Sequence, residues 1–226
     1  MLFQKLNFYI EYLFKNGLNE KKLYLEKINK EKVIVFDIGS NLGNYSKFVS
    51  KIFSNKEIYI HSFEPIKNLL KKQKIKHGTL IKNNVAVSKN PGTLKFYERA
   101  ISSQSSLYEN SNLDNDKTVN TYDVETINLV DYIKEHNISN IDILKIDVEG
   151  KELDILRSLE NNFYNLNISI IKIETTFHGH SENAFSNLLE IYEILNSNNY
   201  EFAGSTNTKY LDNKIFFSDS YFVKKI

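Results

Sequence analysis

Short runs of β-branched and aromatic residues recur along this chain, and a helical pattern fills the space between each pair. Val33 to Phe36 is followed by a helix over about 43 to 53, Glu57 to Phe63 by a helix over about 66 to 76, and then comes the run Thr79 to Val87. This βαβαβ order requires parallel strands, because each crossover helix returns the chain to the end of the sheet from which it left. The second half continues with a helix over Thr126 to Glu135, a buried strand Ile141 to Ile146, and a helix from Lys151 to Leu159 with Leu153, Leu156 and Leu159 on one face. Ile168 to Glu174 is the next strand. A helix over about 182 to 197 and two strands, near Tyr200 to Ala203 and Ser220 to Lys224, end the chain in a hairpin that adds an antiparallel strand. Thr93 to Tyr97 reads as an additional strand opened by the turn Asn90-Pro91-Gly92, and the Ser, Asn and Asp-rich residues 100 to 118 read as a long loop.

At 226 residues such a chain buries enough surface to need neither disulfide nor metal for stability. Its lack of cysteine excludes thiolate zinc sites, iron–sulfur clusters and a cysteine nucleophile. A net charge of +1 and only two arginines, Arg99 and Arg157, argue against nucleic acid as partner, and the lysines at 71, 72, 74 and 76 read as a solvated helix face. No apolar run approaches the roughly 18 residues that span a bilayer. Residues 3 to 15 read as an amphipathic helix packed on the domain rather than a signal peptide, which points to the cytoplasm. The expected division is an N-terminal helical extension over 1–30 and one domain over 31–226.

The first chemical signal is Asp37-Ile38-Gly39-Ser40-Asn41-Leu42-Gly43, a strand-end carboxylate followed by two glycines in the turn to a helix. Such a turn lets backbone approach a ligand and presents the free amides of a helix N-terminus. Glu64, in Phe63-Glu64-Pro65, follows at the end of the next strand, where a carboxylate can accept both hydroxyls of a ribose. Dinucleotide enzymes use Gly-x-Gly-x-x-Gly, and their pyrophosphate would be repelled by an acid at position 37. The amino group of a methionine moiety would instead gain a charge-assisted hydrogen bond there. S-adenosylmethionine is therefore the better fit. Asn84, with backbone groups of Val85 and Ala86, is placed to meet an adenine edge.

Five blocks together resemble the motif series of FkbM-type methyltransferases: the Asp37 to Gly43 turn, Phe63-Glu64-Pro65, Asn84-Val85-Ala86-Val87-Ser88, Ser105-Ser106-Leu107, and Leu144-Lys145-Ile146-Asp147-Val148-Glu149-Gly150-Lys151-Glu152. They occur in order between about residues 33 and 175. The resemblance implies an α/β, Rossmann-like class I methyltransferase. Its seven-stranded, mostly parallel sheet would have the order 3-2-1-4-5-7-6, with helices on both faces. It implies O-methylation of sugars, glycans or related metabolites. The residues matching cofactor positions are Asp37, Gly39, Asn41, Gly43, Glu64 and Asn84. Lys145, Asp147, Glu149 and Gly150 match the second conserved block.

Methyl transfer to a hydroxyl needs a group that takes the acceptor's proton, and histidine has the pKa for it. His178 and His180 leave the carboxyl end of a strand, with Asp147 as an alternative base or orienter and Lys145 as a contact to acceptor or carboxylate. Asp147 and Glu174 could hold Mg²⁺, although strand-end carboxylates are more often scaffolding, so no metal is assigned. The loop from Ala100 to Lys117 is expected to cover the site, and Tyr108, Tyr122 and Phe177 could stack on a sugar ring. The partner expected is a small-molecule or glycan acceptor, with homo-oligomerisation left open. The competing readings are a non-catalytic cofactor-binding or assembly module and a nicotinamide-dependent oxidoreductase. The second lacks both the glycine pattern and an evident Tyr-x-x-x-Lys pair.

Overall fold

The computed structural model describes residues 17–99, 105, 107, 118–176, 188–211 and 214–225. Helix α1 (Glu20–Lys27) leads into β1 (Lys32–Ile38), followed by α2 (Asn44–Ile52), β2 (Glu57–Phe63), α3 (Lys67–Lys72) and β3 (Thr79–Asn83). Then come β4 (Ala86–Val87), β5 (Gly92–Arg99), β6 (Thr118–Ile127), α4 (Leu129–Glu135), β7 (Ile141–Ile146), α5 (Glu152–Leu159) and α6 (Phe163–Leu166). The chain ends in β8 (Ile168–Thr176), α7 (Leu188–Ser197), β9 (Tyr200–Leu211) and β10 (Lys214–Lys224).

Seven of these strands form one sheet in the order β3-β2-β1-β7-β8-β10-β9. Counting only its members along the chain, the order is 3-2-1-4-5-7-6, as the family resemblance implies. Strands β3 to β8 in that order are parallel, and β10 enters antiparallel between β8 and β9. β1, β7 and β8 are covered on both faces, which is why apolar residues occupy both faces of each strand. One face packs Phe36, Leu144, Ile146, Ile171 and Ile173 against α4, α5 and α7. The other packs Val33, Val35, Ile58, Ile60, Ile143 and Ile170 against α2 and α1, with Tyr24 and Ile28 of the α1 segment inside that cluster.

Three expectations are corrected. Residues 126–135 are not one helix: Thr118–Ile127 is a strand, and α4 starts only after Asn128, whose side chain accepts from the amides of Val130 and Asp131. Strand β6 is mostly exposed, so Thr, Asn and Asp occupy it without penalty and conceal it as loop. The run 79–87 also splits: β3 stays in the main sheet, while β4 joins β6 and β5 in a separate three-stranded sheet of order β4-β6-β5. The helix expected to reach residue 76 ends at Lys72, because Gln73 turns inward. No helix among the described residues is long and apolar enough to cross a membrane.

Candidate functional site

The carboxyl ends of β1, β2 and β7 open into a cleft that is continuous with solvent at its mouth. Gly39, Asn41, Glu64, Val85, Ala86 and Asp147 are among its lining residues, and Ile38, Phe63, Ile66, Val87 and Phe96 make its apolar walls. Ser105 and Leu107, from the segment expected to cover the site, also line it. A cleft that is mostly apolar with a few convergent polar groups is the usual form of a small-molecule site.

The glycine turn forms its floor. Gly39 and Gly43 have φ of 73° and 75°, which L side chains rarely adopt. At Gly39 there is a second constraint, since a Cβ would lie 1.7 Å from the carbonyl oxygen of Asp147. The turn is pinned by the amides of Gly39 and Ser40, which donate to Phe63 O, and by Gln73, which donates to Ser40 Oγ at 2.8 Å and Asn41 O at 2.7 Å. Gln73 in turn accepts from Ser62 Oγ at 2.6 Å. Nothing in the sequence marked Gln73: it sits among lysines, where a polar residue looks like surface.

Glu64 stands at the lip of the cleft and is almost fully buried. Its two carboxylate oxygens accept from Asn41 N and Ile66 N, each at 2.8 Å. Burial raises its pKa to about 7, against the lowering effect of those two amides and of Lys145. Asn84 does not line this cleft. Its side-chain amide donates to Glu64 O and Pro65 O, fixing the backbone that carries the carboxylate, and it faces an adjoining polar groove.

Asp37, Lys145 and Asp147 form a chain of charge beneath the turn. Asp37 is fully buried, accepts from the amide and hydroxyl of Ser46 at 3.2 and 2.6 Å, and lies 3.3 Å from Lys145 Nζ. It therefore anchors the start of α2 and is not among the cleft's lining residues. The Lys145 ammonium also lies 3.1 Å from Asp147 and donates to Gly39 O at 2.8 Å. Burial lowers the Lys145 pKa, but Asp147 and Asp37 more than offset it and hold the group charged, well above its ordinary range. Lys145 thus ties β7 to the glycine turn as a cation. Its register partner on β8, Lys172, is held charged the same way by Asp219 at 3.0 Å and Glu20 of α1 at 3.4 Å, with the Tyr45 ring beneath it.

At the other side of the cleft mouth, Asp147, Glu149 and Glu174 each bring one carboxylate oxygen within 4.8 Å of the others. Burial, followed by these like charges, pushes Glu174 well above the ordinary carboxylate range. Such oxygens suit Mg²⁺ by type, but the Lys145 ammonium already competes for Asp147. Glu152 closes the loop below: its carboxylate accepts from the amides of Val148 and Gly150, at 2.8 Å and at 3.0 to 3.2 Å. That bond set holds Glu149 at φ 57°. His178 and His180 lie outside the described residues, as do Tyr108 and Phe177. Tyr122 lines the adjoining groove and not the cleft.

Residues 37–202 match the family profile of the Methyltransferase FkbM domain. Over 156 residues the chain is 23% identical to the hexuronic acid methyltransferase AglP of Haloferax volcanii, covering 67% of this chain and 60% of that protein. The chain thus spans less than two thirds of that relative's length. Among solved structures, the methyltransferase FkbM of Methylobacillus flagellatus KT is 14% identical with a TM-score of 0.48, covering 90% of this chain and 50% of that one. Magnesium protoporphyrin IX methyltransferase of Synechocystis PCC 6803, solved with bound SAM, is 9% identical with a TM-score of 0.47, covering 91% and 76%.

Proposed function

The chain belongs to the Methyltransferase FkbM domain family, and on that premise we propose that it transfers a methyl group from S-adenosylmethionine to a hydroxyl of a sugar, glycan or related metabolite. The observation that carries this reading is Glu64. A nearly buried carboxylate, aimed by two backbone amides at the lip of a cleft beside a glycine turn, has the chemistry to accept the two hydroxyls of a ribose. The residues fit the cofactor elsewhere too: Val85 and Ala86 border the cleft with apolar surface suited to adenine.

Bound in this cleft, S-adenosylmethionine would supply an electrophilic methyl on a cationic sulfur. Glu64 binds the ribose, while Gly39 and Asn41 offer backbone to the methionine end. Asp37 and Lys145 act as positioning residues: the ion pair fixes the turn against β7, and Lys145 holds Asp147 at the mouth of the cleft. Asp147 then accepts the proton that leaves the acceptor hydroxyl, with His178 and His180 as imidazole alternatives. Alignment of acceptor and donor in a confined cleft supplies much of the acceleration. The sugar class is supported by the hexuronic acid named for the Haloferax volcanii relative and by the hydroxyl of Ser105 on the cleft wall.

A screen of sugars and short glycans with isotopically labelled methyl donor tests this. Label transferred to an acceptor oxygen, and lost in Asp147→Asn, is the expected result. Transfer to a nitrogen or carbon acceptor alone would refute the O-methylation reading.

A further inference from the structure

The chain is nearly neutral as a whole but strongly uneven along its length. Residues 38–97 hold eleven lysines against two acidic residues, Glu57 and Glu64, and Glu64 is buried in the cleft. In the fold, this stretch builds α2, α3 and β3, and β3 is one edge of the main sheet. The segment that follows α3 runs along α2, since Gln73 packs on Gly43 and Ser50 exchanges hydrogen bonds with the backbone of His77. Lys47 and Lys51 lie one turn apart on the outward face of α2. Lys71 and Lys72 end α3, and Lys74 and Lys76 follow at alternate positions of the extended segment after it.

All six side chains are exposed, and no salt bridge among the described residues engages any of them. Neither α2 nor α3 contains an acid. Two apolar side chains stand exposed among these lysines, Phe48 at 37% on α2 and Leu42 at 44% in the glycine turn.

We propose that this face of α2 and α3 docks the protein on an anionic lipid surface. Lysine is a mobile point charge, suited to diffuse attraction toward many headgroups. The stretch contains no arginine, whose planar fork grips individual phosphates. Polybasic surfaces gain attraction from each lysine within a Debye length of the bilayer, and a few apolar side chains entering the headgroup boundary add to it. Phe48 and Leu42 are placed for that entry. A soluble polyanion would gain nothing from exposing them. Leu42 belongs to the glycine turn that borders the cleft, so docking by this face holds the cleft close to the lipid surface, within reach of a lipid-tethered acceptor.

The test is co-sedimentation of the full chain with phosphatidylcholine vesicles and with vesicles in which about a third of the lipid is phosphatidylglycerol. Binding to the anionic vesicles only, weakened by salt, is expected, with at least a roughly tenfold loss in Lys71→Glu/Lys72→Glu/Lys74→Glu/Lys76→Glu. The milder Lys47→Gln/Lys51→Gln variant should lose part of the binding if the fourfold variant fails to fold, and Lys134→Glu/Lys209→Glu, in the acidic half, should lose none. Retained affinity for S-adenosylhomocysteine in the variants separates docking from cleft integrity. Equal binding to both vesicles, binding to neither, or binding only to a soluble polyanion such as heparin would overturn the proposal.

Discussion

Replacing Glu64 with Gln should remove one specific pH dependence of stability and, separately, the cofactor affinity. In the folded chain this carboxyl has a pKa of about 7 against an ordinary value of 4.5. A raised folded-state pKa means that the neutral form is favoured by folding. The group's stabilising contribution is therefore complete below pH 4.5 and is lost as pH rises through 7. The full difference is worth about 3 kcal/mol at about 1.4 kcal/mol per pH unit. Glutamine keeps the shape and cannot ionise, although one of its two ends must face an amide of Asn41 or Ile66 with a donor. Urea unfolding at pH 5 and pH 8 should thus show a decline in the wild type that exceeds the decline in Glu64→Gln by about 2–3 kcal/mol. Binding of S-adenosylhomocysteine should weaken about tenfold from pH 8 to pH 6 in the wild type, because the ribose hydroxyls need the ionised acceptor. In the variant it should be weaker by roughly ten- to hundredfold and flat with pH. Identical pH profiles for the two proteins, in stability and in binding, would refute the reasoning.

Other outcomes follow from the same geometry. Lys145→Met leaves Asp37 buried without its cation and should cost about 3–5 kcal/mol in denaturant unfolding, where an effect below 1 kcal/mol would show the pair to be dispensable. Gly39→Ala meets both a positive φ and the Asp147 carbonyl, so calorimetry should find cofactor binding abolished even if far-UV circular dichroism is unchanged. Gln73→Leu removes three hydrogen bonds from beneath the glycine turn and should raise the Kd for the cofactor more than it alters turnover at saturation. Methyl transfer should survive exhaustive chelation, and loss of activity restored by Mg²⁺ would assign the Asp147, Glu149 and Glu174 cluster to a metal instead.

The sequence was most legible where burial was most complete. β1, β7 and β8 are rich in apolar residues on both faces because both faces are covered, and their alternation with helical patterns pointed to parallel strands, while the strand order came from the family resemblance. β6 was missed because its pattern of Thr, Asn and Asp is that of an exposed strand, set by pairing with β5 rather than by a buried face. The same division holds within the site. Glu64 and the glycine turn were readable because strand-end spacing alone places them. Gln73 and Glu152 were not, since each acts on backbone atoms that only the fold brings near. Lys145 was legible as part of a motif, but its position between Asp37 and Asp147 depends on the register of β1 against β7. Asp37 was expected to face the ligand, whereas the fold turns it toward Ser46.

The central claim is the identity of the cofactor, and calorimetric titration addresses it directly. The wild type and Asp37→Ala/Glu64→Ala would each be titrated with S-adenosylhomocysteine and, separately, with NAD⁺. The expected result is saturable binding of S-adenosylhomocysteine alone, abolished in the double variant. Binding of NAD⁺ in its place, or binding of S-adenosylhomocysteine undiminished by the two substitutions, would contradict the account.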